Sequence, residues 1–236
     1  MCVSLVRACL NIGAYSASQL RAVRYNMSPT TSPPHTLNES IQPRNYGSYD
    51  EYVRHQRSKV EFWRNQREAR WDKAMKEFRE HFRRISELQS AVTAVCLGAR
   101  WGEECAALTS LGILAIGVDL NPDTDNRWVL SGDFHDLQFP DRVFDFAYTN
   151  VVDHILQLDT FVSEVHRVLK DQAGYFLMDV YKGYEEKNKF DQWGALYYRT
   201  TDDVVRRVVS SLRFTLVREV EAYLPSYRSY LFRKCA

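Results

Sequence analysis

From Ala91 to Phe232, short apolar runs rich in β-branched residues alternate with stripes of helical period, and this alternation most limits what the chain can fold into. The runs are 91–98, 113–119, 129–132, 144–149 and 175–179. Between them, 102–110 reads as helix, with Gly112 as its C-cap. Residues 157–170 carry Leu158, Phe161, Val162, Val165, Val168 and Leu169 at spacings of one helix face. Thr201 reads as the N-cap of a helix bearing Val204, Val205, Val208 and Val209. Runs that are apolar throughout are buried on both faces, which requires a mainly parallel sheet covered by helices on each side. Residues 214–221 and 227–232 alternate in polarity, are joined through Pro225, and read as an antiparallel pair.

The first 90 residues differ. Residues 1–48 hold Arg7, Arg21 and Arg24, no acid before Glu39, and a Ser/Thr/Pro cluster at 27–34. They read as a disordered segment or an organelle transit peptide, with a start at Met27 as a third reading. Residues 49–89 read as helices. Trp71, Ala74, Met75, Phe78, Phe82 and Ile85 form one stripe, and Tyr52, Gln56 and Lys59 share another face. Eleven Lys/Arg against six Asp/Glu over 51–84 make this region basic. A solvated face is the preferred reading of that charge, and RNA contact the lesser one. Over the whole chain, Lys+Arg 31 against Asp+Glu 30 leaves no general nucleic-acid footprint. No stretch approaches the roughly 18 apolar residues of a membrane span. The expected compartment is the cytoplasm, or an organelle if 1–48 is a transit peptide. The five cysteines are scattered without CxxC spacing and read as free thiols, Cys96 and Cys105 as buried hydrophobes. No histidine or carboxylate spacing argues for a metal.

Ligands of open α/β sheets bind beyond the carboxyl ends of the strands. There, Gly98-Ala-Arg-Trp-Gly102 follows the first run, where glycine permits a tight turn under a ligand. Asp119-Leu-Asn-Pro122 ends the second run, about 20 residues on, where an acid can accept both hydroxyls of a ribose. As an alternative, Asp119 caps the turn into Pro122. Gly132-Asp-Phe134 ends the third run, and Asp133 beside Phe134 can hold an adenine amino group and ring face, or serve only the turn.

These segments in this order resemble the class I S-adenosylmethionine (SAM)-dependent methyltransferases, in particular a type 11-like domain. Gly117-Val-Asp-Leu-Asn-Pro122, Phe139-Pro-Asp, Phe144-Asp145 and Glu164-Val-His-Arg-Val-Leu-Lys170 followed by Gly174 belong to the same pattern. The resemblance implies a Rossmann-like seven-strand sheet over 90–236, with an antiparallel last strand, helices on both faces and an N-terminal helical extension. It implies SAM as cofactor and transfer of a methyl group to a small-molecule acceptor. It places Gly98 and Gly102 by the methionine part, Asp119 on the ribose, Asp133 on adenine, and Thr149 and Asn150 across from the cofactor, with Ala99, Leu120 and Phe134 also expected among the cofactor-binding residues. Two positions depart from the pattern: Cys96 replaces an acid, and Arg100 replaces the middle glycine. On them rests the alternative of a catalytically silent binding or scaffold protein with a degenerate SAM site. A nicotinamide-type Rossmann enzyme shares the glycine turn and Asp119, but the full GxGxxG is absent.

Asp153-His154 follows the fourth run, where an acceptor would sit. His154 could take a proton with Asp153 orienting it, or it could pack there without titrating. His135-Asp136 reads as structural, and His166 as solvent-facing. The stretch from Tyr181 to Tyr198, with Lys182, Trp193, Tyr197 and Tyr198, reads as a lid, an acceptor wall or a local aromatic core.

Overall fold

A computed structural model of the protein describes residue 33 and residues 37–63, 67–122 and 125–235, with backbone alone at 60–63 and 67–69. Most of the segment read as disordered or targeting, including Cys2, Cys9 and Met27, lies outside the described residues.

The chain runs β1 (Ile41–Pro43), α1 (Tyr49–Trp63), α2 (Arg67–Arg83), β2 (Thr93–Leu97), α3 (Glu103–Ser110), β3 (Leu114–Asp119), β4 (Val129–Ser131) and β5 (Phe146–Thr149). It continues with α4 (Leu158–Val168), β6 (Tyr175–Tyr181), β7 (Leu196–Tyr198), α5 (Thr201–Ser210), β8 (Phe214–Val220) and β9 (Tyr227–Lys234). The main sheet has seven strands in the order β4-β3-β2-β5-β6-β9-β8. The pairs from β4 to β6 are parallel, and β9 enters antiparallel between β6 and β8. The expected sheet and its antiparallel strand are therefore present. The strand order reverses between β2 and β5, which opens the cleft where ligands of such sheets bind.

The pleat explains why the strands read as apolar throughout. On β2, Val95 and Leu97 face one helix layer, with Phe161, Val165 and Phe176. Ala94 and Cys96 face the other, with Phe78, Phe82, Cys105 and Leu108. Both sides are dry, and burial of each large side chain contributes about 1.5–3 kcal/mol. The stripe predicted over 157–170 is the buried face of α4.

Three local expectations change. Thr200, not Thr201, caps α5: its hydroxyl accepts from Asp203 N at 3.2 Å while Asp203 Oδ2 accepts from Thr200 N at 2.9 Å. Thr201 instead donates to Glu186 at 2.7 Å. His166 is half-buried, with Nε2 3.2 Å from the Cys235 carbonyl and its ring edge-on to Phe214. Residues 41–43, inside the segment read as disordered or targeting, pair with β7 in a two-stranded antiparallel sheet. A three-residue strand leaves no periodic trace, so its pairing is visible only once both partners are placed.

Candidate functional site

The floor of the cleft is the turn after β2. Gly98 has φ +79° and Gly102 φ +89°, a region that L side chains rarely adopt. A Cβ at Gly98 would also lie 2.2 Å from Val151 Cγ2. The Asp119 carboxylate ties the turn down, accepting from Arg100 N at 3.1 Å and Asn121 N at 2.8 Å. The Asx-turn reading of Asp119 therefore holds, and its carboxylate remains half-buried at the sheet edge.

Two adjoining cavities open here. A cavity of about 450 Å³ is lined by Gly98, Ala99, Arg100, Asn150, Asp153 and His154, and by Glu104, Tyr181, Tyr223 and Tyr227 from other elements. A smaller one of about 40 Å³ is lined by Gly98, Asp119, Leu120, Phe134 and His154. Lys59, Gly98, Arg100, Val151 and His154 border both. Gly102, Asp133 and Thr149 border neither. Thr149 is buried, and its hydroxyl donates to Leu97 O at 3.0 Å, joining the ends of β2 and β5.

Helix α1 roofs the cleft. Tyr52 donates to His154 O at 3.0 Å and Gln56 to Trp193 O at 2.8 Å, while the Lys59 ammonium donates to His154 Nε2. The face expected from the spacing of these three residues is thus the face that meets the site. His154 Nδ1 lies 3.0 Å from Trp193 O, so the neutral ring carries its proton on Nδ1 and accepts at Nε2. Burial and the neighbouring Lys59 charge hold the imidazole well below its ordinary pKa. Burial and the nearby Arg100 guanidinium bring Lys59 down to about 8. Burial raises Asp153 to about 6, against the pull of Lys59. Asp153 Oδ2 is 3.6 Å from Nε2, the nitrogen that Lys59 approaches. The main-chain carbonyl of Trp193, not Asp153, therefore orients His154.

Asp133 is 6% exposed and fully engaged. Its Oδ1 accepts from His135 N at 2.8 Å and Nδ1 at 2.9 Å, and its Oδ2 accepts from the Tyr49 hydroxyl. Burial pushes this carboxyl up, but the His135 and Tyr49 hydrogen bonds outweigh it and leave it below its ordinary value. His135 pairs with Asp133 rather than with its neighbour Asp136 as read from the sequence, and its Nε2 accepts from Gln157 N at 3.2 Å. Beside this triad, Phe134 packs edge-on against Phe161.

The stretch after β6 resolves into an aromatic core. Phe190 meets Tyr184, Tyr197 and Tyr198 with ring centroids 4.9–5.4 Å apart. Tyr197, Tyr198 and Trp193 are buried, and Tyr181 and Asp191 are what this stretch contributes to the large cavity. Residues beyond those expected complete the cleft: Glu104 on α3, and Tyr223 and Tyr227, whose rings stack at 5.3 Å around the β8–β9 turn. Beneath them, Asp179 is wholly buried and accepts from Tyr148 at 2.6 Å and Ser229, with His81 Nε2 at 3.2 Å. The signal for Tyr223 and Tyr227 was the turn position of two aromatics. For Asp179 it was a lone acid inside an apolar run. Among the described residues, no group of His, Cys, Asp and Glu is arranged to hold a metal ion, and no helix is long and apolar enough to cross a membrane.

Residues 95–178 match the family model of a methyltransferase domain. A solved 1,6-didemethyltoxoflavin N1-methyltransferase of Burkholderia thailandensis, with 1,6-didemethyltoxoflavin and S-adenosylhomocysteine bound, is 19% identical, with a TM-score of 0.55 over 88% of this chain and 100% of that one. The mitomycin 7-O-methyltransferase MmcR is 16% identical, with a TM-score of 0.53 over 69% of this chain. The match covers 54% of MmcR, about half its length. The glycopeptide N-methyltransferase MtfA is 14% identical, with a TM-score of 0.53 over 68% of this chain and 90% of that one. At these identities the likeness is one of fold. No curated protein matches the chain in sequence.

Proposed function

We propose that the sheet domain, a member of the class I SAM-dependent methyltransferase superfamily, transfers a methyl group from SAM to a small-molecule acceptor. The observation that carries this reading is the 450 Å³ cavity at the strand-order reversal, floored by a glycine turn where a Cβ at position 98 would lie 2.2 Å from Val151 Cγ2. The residues present are compatible with the cofactor: Gly98 and Ala99 offer close backbone approach, the half-buried Asp119 carboxylate is an acceptor that could serve ribose hydroxyls, and Leu120 and Phe134 offer an apolar wall beside it. When bound, SAM supplies a methyl on a positively charged sulfur, so that positioning and exclusion of water provide most of the acceleration. The toxoflavin, mitomycin and glycopeptide enzymes that share the fold act on small molecules, which supports an acceptor of that class.

In this reading Asn150, Asp153, His154, Tyr181, Tyr223 and Tyr227 face the acceptor. His154 presents its Nε2 lone pair there, but Lys59 occupies it, so proton removal by His154 requires Lys59 to withdraw or be neutral. An acceptor that carries no proton to lose needs neither group. Calorimetry with S-adenosylhomocysteine tests the proposal: micromolar binding supports it, and no binding by folded protein at millimolar ligand ends it.

A second reading, a silent binding module, is favoured by one observation. The Asp119 side of the cleft measures about 40 Å³, with Tyr52 and Arg100 among its walls. Arg100→Gly separates the two readings. A sharp gain in affinity marks the native site as obstructed, whereas an unchanged or lower affinity marks Arg100 as part of a working site.

A further inference from the structure

Cys96 is fully buried on the pleat face that packs against α3, among Ala94, Cys105 and Leu108, so its side chain belongs to the core and does not face the cleft. Glu104, the second residue of α3, does face it. Glu104 is 4% exposed and lines the large cavity beside Gly98, Ala99 and Arg100. Its position is close enough to Cys96, Tyr148 and Tyr223 for its charge to act on all three. The Glu104 carboxyl accepts from its own backbone N–H, and the charges acting on it are Glu103, Asp119 and Arg100. A buried carboxyl with so few hydrogen bonds costs free energy unless it stays protonated or meets a cation.

We propose that Glu104 receives the ammonium group of the amino-acid part of SAM. The inference rests on the proposed cofactor. An α-amino acid presents an anion and a cation side by side. The cavity wall offers the opposite pair, the Arg100 guanidinium and the Glu104 carboxyl, on residues flanking Gly102. In this assignment the arginine at the middle glycine position is the cation available to the carboxylate of the same zwitterion.

The electrostatics give the site a signature. Burial and the adjacent Glu103 and Asp119 hold the Glu104 carboxyl well above its ordinary value, against the pull of Arg100. The other titratable groups facing it, Cys96, Cys105, Tyr148 and Tyr223, are all raised by burial first and stay neutral near pH 7. An arriving ammonium therefore expels the Glu104 proton.

The test is calorimetry on the full chain at pH 7, in two buffers of different ionisation enthalpy. The probes are S-adenosylhomocysteine and 5′-methylthioadenosine, which lacks the amino-acid part. Expected for the native protein is release of about one proton with the first ligand and none with the second. Glu104→Gln should weaken S-adenosylhomocysteine ten- to thirtyfold, abolish the proton release, and leave 5′-methylthioadenosine within twofold. Unchanged S-adenosylhomocysteine affinity in a folded Glu104→Gln variant, with 5′-methylthioadenosine still bound, overturns the assignment alone. Binding of neither probe by the native protein overturns the proposed function and this inference together. Should Glu104→Gln not fold, Glu104→Asp takes its place, and an unchanged ratio of the two ligands' affinities in it rejects the role.

Discussion

The ammonium of Lys59 donates to Nε2 of His154, joining α1 to the residue just past β5 across 95 positions of sequence. The contact brings a cation against the nitrogen that the sequence marks as a candidate base. It also holds α1 over the cleft, together with Tyr52 and Gln56.

Lys59→Met is expected to change how stability depends on pH. The folded state holds Lys59 at about 8, below its unfolded value, so between about pH 8 and 10.4 the unfolded chain binds more protons and stability rises with pH. The variant should lose that rise. Asp153, raised to about 6, acts in another window: its contribution is fullest below about pH 4 and is lost as pH climbs through 6. Chemical denaturation at a series of pH values separates the two. An alkaline slope that persists in Lys59→Met would contradict the burial of this amine.

Tyr49→Phe should loosen the Asp133 site. It removes the donor to Asp133 Oδ2 from a buried pair and should cost about 1–2 kcal/mol in a thermal or urea melt. Because Asp133 borders neither cavity, S-adenosylhomocysteine affinity should stay within about twofold. Weaker binding instead would make the Tyr49 ring part of the adenine wall.

Gly98→Ala should both destabilise the fold and close the cleft. The new methyl meets Val151 at 2.2 Å, and the residue keeps a positive φ. A loss of about 2 kcal/mol or more is expected. In Gly98→Ala/Val151→Ala the clash is relieved but the backbone strain remains, so the double variant should recover part of the stability. Equal melting temperatures for native protein and Gly98→Ala would refute the strained turn.

Thr200→Ala tests the reciprocal cap of α5 and should cost about 1 kcal/mol, read as a lowered melting temperature. The same change at Thr201, a buried residue bonded to Glu186, acts on loop packing instead.

The architecture of 91–234 was legible because strands buried on both faces and helices with one buried face leave period and composition in the sequence itself. The glycine turn and Asp119 were legible for a related reason: their backbone demands are local. Cys96 reads as a buried hydrophobe and is one, packed in the α3 layer. Glu104 shows where such reading stops: only the packing of α3 against the sheet edge brings it to the cleft. His135 likewise found Asp133 and Tyr49 rather than Asp136.

By itself, then, the sequence determined the alternating layers, the antiparallel strand near the end and the turn at the sheet edge, since each follows from local conformational preference and burial period. Tertiary structure alone decided that Lys59 meets His154, that Tyr49 engages Asp133 and that β1 joins β7. Those contacts link segments 84 to 157 residues apart. Which side chains meet across such separations depends on how whole layers pack and how long loops close, and no local periodicity records that.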